Sequence, residues 1–129
     1  MERIRVRTIE FTWDPRARLA HISFTEPTRA VGDDARALVA ALESWIGAGG
    51  APFALLGDGG RLASLDAEYR AVWSSFFKQH RKTASIAFYN MSAVVRVAAE
   101  LFRLGTGVNM RAFSTEDEAR AWLRAGGFA

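Results

Sequence analysis

The chain has 129 residues, 50% of them hydrophobic and 24% charged. One globular domain spanning residues 1–129, with a single sizeable core, is therefore expected, and a disordered tail or a fibre is excluded. It contains no cysteine, which removes thiol nucleophiles, thiolate metal sites and disulfides. The formal charge is only +3, carried by 15 Arg against 2 Lys beside abundant Ala. That usage matches a GC-rich genome better than a phosphate-binding footprint, so nucleic acid is not an expected partner.

No stretch approaches 18 consecutive apolar residues, so no membrane span is expected. The start, Met1-Glu2-Arg3-Ile4-Arg5-Val6-Arg7, is charged at every second residue and lacks the apolar middle of a signal peptide. The expected location is the cytoplasm.

Ile9, Phe11 and Trp13 alternate with polar neighbours, as do Ala20, Ile22 and Phe24, on either side of the turn residues Asp14-Pro15-Arg16-Ala17. This pattern predicts an antiparallel hairpin. Gly32-Asp33-Asp34 opens a helix with acids at its positive end. Its apolar stripe is Ala35, Leu38, Val39, Leu42, Trp45 and Ile46, and Gly47 to Gly50 stop it. Phe53-Ala54-Leu55-Leu56 is too short for a helix and reads as a strand covered on both faces.

Gly57-Asp58-Gly59-Gly60 reads as a loop. Ser64 then reads as the N-cap of a second helix, with Asp66 and Glu68 in its first turn. Leu65, Tyr69, Val72, Trp73, Phe76 and Phe77 mark its buried side, and Lys78 to Lys82 its end. Ile86 to Tyr89 is a strand. Asn90 or Ser92 caps a third helix carrying Val94, Val95, Ala98, Leu101 and Phe102, closed by Gly105 or Gly107. Val108, Met110 and Ala112 mark a last strand. Thr115-Glu116-Asp117-Glu118 is a capping box for a fourth helix that buries Ala119, Trp122 and Leu123.

The predicted order is an N-terminal β-hairpin followed by α-β-α-β-α-β-α. Three consecutive crossovers imply a mixed, mostly parallel α/β sheet with right-handed connections and helices mainly on one face. Trp45, Trp73 and Trp122 are expected inside. One sheet face is left uncovered in this reading, and Phe11, Trp13 and Phe113 would lend it apolar area, so a homodimer through that face is expected.

Three stretches carry a resemblance that covers nearly the whole chain. They are Leu65 to Trp73 with Phe76-Phe77, Ile86-Ala87-Phe88 leading into Val94 to Ala98 and Leu101-Phe102, and Met110 to Leu123. In order and residues they resemble the STAS domain, the fold of bacterial anti-sigma-factor antagonists. More narrowly they resemble the small SpoIIAA-like proteins described as STAS or SEC14-like. The resemblance implies a non-enzymatic regulatory domain acting by protein–protein contact, with a regulatory kinase-like or signalling protein as partner. It also implies a phospho-acceptor serine where the middle strand's loop meets the next helix, in an Asp-Ser-Ser-Gly-like run. Here that run is Leu62-Ala63-Ser64-Leu65-Asp66, with Ala63 in place of the aspartate and the glycine replaced. Asp58, Arg61 and Ser64 form the candidate regulatory loop. The resemblance also leaves open a small-ligand or lipid carrier on the same fold, with Trp73, Phe76 and Phe77 lining an apolar pocket rather than the core.

The remaining chemistry is sparse. The glycine-rich run lacks the Lys-Ser/Thr ending of a phosphate loop and the dinucleotide fingerprint, so no cofactor is expected. His21 and His80 have no converging ligands, so no metal is expected and each is read as solvated or capping. Ser75 and His80 lie five apart on one helix, off the spacing that makes neighbours. No catalytic residue is assigned, and an enzyme is not expected. Lys78, His80, Arg81 and Lys82 read as cations complementing a helix end. Asn90-Met91-Ser92 matches the glycosylation pattern, which a cytoplasmic chain never presents to that machinery.

Overall fold

A computed structural model describes residues 1–128. In chain order the elements are β1 (Glu2–Val6), β2 (Ile9–Asp14), β3 (Leu19–Phe24), β4 (Thr28–Ala30), α1 (Gly32–Ile46), β5 (Phe53–Asp58), β6 (Leu62–Leu65), α2 (Ala67–Gln79), β7 (Ala84–Tyr89), α3 (Ala93–Thr106), β8 (Asn109–Phe113) and α4 (Glu116–Ala125). The main sheet runs β1-β2-β3-β5-β7-β8. Its first three strands are antiparallel, with Phe11 opposite Ile22 in the expected hairpin. The pairs β3–β5, β5–β7 and β7–β8 are parallel.

Because each crossover joins neighbouring parallel strands with the same hand, α1, α2 and α3 all fall on one face. There they bury the larger core, which includes Phe11, Leu38, Leu42, Phe53, Trp73 and Phe77. Trp73 stacks on Phe77 at 5.6 Å and meets Phe11 edge-on at 6.4 Å. It is core, as expected, whereas Trp45 and Trp122 are only partly buried. Helix α4 is not a crossover, so nothing ties it to that face. It folds back under the sheet, where Ala119 and Leu123 pack on Ala54, Leu56, Ala87 and Tyr89.

The uncovered apolar sheet face expected from the sequence is therefore absent. Phe11 and Trp13 are buried in the larger core, at 0% and 3% exposure, and Phe113 packs on Trp122 of α4 at 5.7 Å. The sheet-face dimer loses its basis.

Two short strands were invisible to periodicity. β4 and β6 pair in parallel as a separate two-stranded sheet that brings the start of α1 beside the start of α2. An ion pair ties the β1–β2 turn to β4 and the start of α1. Arg7, in the left-handed region at φ 55°, donates to both carboxylate oxygens of Asp34 at 2.8 and 2.7 Å and to the Arg29 carbonyl. Asp34 is buried and also accepts from the Val31 amide, so Arg7 holds its carboxyl below the ordinary range.

Candidate functional site

The parallel strands end together at one edge, where open α/β sheets present ligand and partner sites. β5 runs on through Gly57 to Asp58, so the expected loop shortens to Gly59-Gly60. Glycine is required at Gly57 and Gly59 by close approach: a Cβ would lie 2.4 Å from the Phe88 ring at Gly57 and 2.6 Å from Met91 at Gly59. The turn is closed by the Gly60 amide donating to Asp58 Oδ1 at 2.9 Å and the Gly59 amide donating to the Tyr89 carbonyl at 2.8 Å. Asn90 sits left-handed at φ 59° and reaches Asp58 with a longer contact of 3.5 Å. Asp58 thus holds a turn.

Arg61 donates to the Thr25 carbonyl at 2.5 Å and its own carbonyl accepts from the Thr28 amide, tying the turn to the β3–β4 connection. Ser64 lies in β6 and is exposed. It does not cap α2. The chain stays extended for two more residues to pair with β4, and Asp66 takes the cap, its Oδ1 accepting from the Tyr69 amide at 2.7 Å. Among the described residues, the Ser64 hydroxyl makes no hydrogen bond, and neither hydrogen bond nor ion pair joins Asp58, Arg61 and Ser64. Instead the register sets Ser64 opposite Arg29 of β4. Register partners share one face of a sheet, and Arg29 is exposed. Its guanidinium has no carboxylate partner among the described residues. The sequence reading missed Arg29 because strand pairing, and nothing local, brings it there.

Beneath this edge, between α2, α3 and the sheet, lies a cavity of about 90 Å³ with almost wholly apolar walls. Leu55, Trp73, Phe77, Ile86, Val95 and Phe102 are among its lining, and Asp58 and Gly59 stand at its rim. Of the aromatic trio expected at a pocket, Trp73 and Phe77 contribute walls. Phe76 instead packs on Phe53 and on the ring of His80, which is the C-cap of α2.

The opposite face carries a polar group the sequence did not reveal. His21 Nε2 and the Tyr89 hydroxyl share a hydrogen bond of 2.9 Å, so His21 is not the solvated side chain expected. Burial lowers the His21 pKa and raises that of Tyr89. Nearby, Arg120 donates to Glu116 at 2.6 Å and holds that carboxyl low. Alternation on β3 marked His21 as facing away from Ile22, but only α4 folding under the sheet encloses it.

No helix among the described residues is long and apolar enough to cross a membrane. No curated protein matches the sequence. Among solved structures, the fold is similar to that of apo-SiaC from Pseudomonas aeruginosa, at a TM-score of 0.63 and 14% identity, covering 88% of this chain and 100% of that one. At that identity the likeness establishes the mixed α/β fold and nothing finer. The SpoIIAA-like family model matches residues 11–124, from within β2, the first strand of the β2–β3 hairpin, to the last turn of α4. The chain belongs to the SpoIIAA-like family.

Proposed function

We propose that this chain is a non-enzymatic regulatory domain that acts by protein–protein contact at the Asp58–Ser64 edge, with Ser64 as the residue that switches the contact. The observation that carries this reading is the position of Ser64. The cap that would have occupied its hydroxyl belongs to Asp66, and Ser64 stands exposed opposite Arg29. A phosphate on Ser64 would meet the Arg29 guanidinium across the strand pair, a charge-assisted contact that changes the surface without disturbing the core. Family membership supports a regulatory role of this kind. The partner expected is a regulatory kinase-like or signalling protein. Intact-mass and peptide mass spectrometry of the protein isolated from its own cells tests the switch directly. A phosphate on Ser64 supports it, and stoichiometric phosphate on another residue alone would displace it.

A carrier of an apolar small molecule or lipid chain is the second reading, favoured by the apolar cavity under α3. Its size ranks it second. At about 90 Å³ the cavity is well below the roughly 300–1,000 Å³ of ordinary ligand sites, so α3 would have to move outward to admit a ligand. Native mass spectrometry of the purified protein separates the two readings, because a carrier retains a stoichiometric small molecule.

A further inference from the structure

We propose that α3 forms a two-fold homodimer in which an apolar ridge on each copy fills the α2–α3 groove of the other. This inference does not rest on the Ser64 reading. Helix α3 carries three stripes. Val95 and Thr106 face inward. Arg96, Glu100 and Arg103 form a polar stripe. Between these two run Val94, Val97, Leu101 and Leu104, exposed at 77%, 63%, 58% and 65%. Met1 is the one other large hydrophobic exposed among the described residues, so the exposed apolar surface is concentrated on this helix. The 3-4-3 spacing of the four residues is that of a helix-packing seam. Contiguous apolar surface of a few hundred Å² marks interaction sites on soluble proteins.

What should cover the ridge is indicated by what lies beside it. A groove of about 230 Å³ separates α2 from α3. Its walls are mostly small residues, Ala67, Ala71, Ser74, Ala98 and Gly105, with the Phe102 ring among them, and Leu101 of the ridge forms its near edge. Ridge and groove are therefore adjacent and parallel parts of one patch. A two-fold axis running along α3 between them places the ridge of each copy over the groove of the other, which is the self-complementarity a closed dimer requires.

The charges agree with this axis. Arg70 lies midway along the α2 stretch Ala67 to Ser74 that walls the groove opposite the α3 stretch Ala98 to Gly105, and it makes no ion pair among the described residues. The axis keeps height along α3 unchanged, so Glu100 on the outer flank of the incoming ridge, which also pairs with Arg103 of its own helix, arrives beside Arg70. The same pairing occurs twice. The patch is small for a stable dimer, so reversible association in the micromolar range is expected.

Sedimentation equilibrium of the wild-type protein over a wide concentration range, with thermal melts of each variant as a folding control, tests the proposal. Wild type should form dimers as concentration rises. Leu101→Glu and Ala71→Trp, at exposed positions on the ridge and in the groove, should each weaken association at least tenfold while melting normally. Arg70→Glu should weaken it, and the double variant with Glu100→Arg should restore it. A wild type that stays monomeric overturns the proposal, as does a dimer unmoved by both Leu101→Glu and Ala71→Trp. Binding of anionic phospholipid vesicles by a protein that is monomeric in solution would also overturn it, assigning the ridge to a membrane surface.

Discussion

Moving the α2 cap from Ser64 to Asp66 gives a stability difference that can be measured with two variants. In Asp66→Ala the Tyr69 amide loses its 2.7 Å acceptor, and the positive end of a 13-residue helix loses a carboxylate. The expected cost is about 0.5–2 kcal/mol from the cap, with roughly 0.3–1 kcal/mol from the charge overlapping it. A figure near 1.5 kcal/mol should lower the melting temperature by roughly 5 °C in a domain of this size. In Ser64→Ala an exposed hydroxyl without a hydrogen-bond partner is removed from a short strand, and the change should stay within about 0.5 kcal/mol. Urea denaturation at neutral pH reads both, with unchanged slope showing that the same surface is exposed on unfolding. If Ser64→Ala costs as much as Asp66→Ala, Ser64 has a structural task and its hydroxyl is not free for modification.

Other expectations follow from the packing and the charges. Trp73→Ala should cost about 3–5 kcal/mol in the same assay, because a 5% exposed indole stacked on Phe77 leaves a void joined to the existing cavity. A loss below about 1 kcal/mol would show that the indole is not part of the core. Gly59→Ala should destabilise by about 1–3 kcal/mol, since its Cβ would lie 2.6 Å from Met91 and 3.2 Å from that residue's Cα. Asp34 has a folded pKa below its ordinary value near 3.8, so its contribution is fully present above that value and is lost as pH falls through the depressed one. Arg7→Ala should therefore lower stability at neutral pH and flatten the acid end of the pH–stability curve. By the opposite charge logic, His21 should titrate below 6.5 in an NMR pH series, and its buried neutral form should cost stability as pH falls below that value.

The parts of the fold written as periodic burial were legible in the sequence. The β2–β3 hairpin announced itself through Phe11, Trp13, Ile22 and Phe24, and the capping box at Thr115 to Glu118 placed the start of α4. Single-strand crossovers then fixed the face of α1, α2 and α3. Short elements were not legible: β4 and β6 are three and four residues long, too few for a period, and exist because they pair with each other. Hence the local sequence points to a cap at Ser64, two residues before Asp66. Helix α3 shows a different limit. Val94 and Leu101 are apolar at helical spacing just as Val95 and Phe102 are, yet the helix carries two apolar stripes and the sheet can bury only one. Spacing cannot say which stripe faces inward. The glycine-rich run misled for a similar reason, since Gly57 serves the approach of Phe88 inside a strand rather than a turn.

The most direct test of the proposed function compares wild type, Ser64→Asp and Ser64→Ala as immobilised baits against extract of the source cells, with quantitative recovery and a melting curve for each. The aspartate, placed opposite Arg29, should change the recovery of a specific protein partner relative to alanine and wild type while the melting curves coincide within about 0.5 kcal/mol. Recovery of the same partners at the same affinity by all three baits would contradict it, leaving the Asp58–Ser64 edge as structure alone.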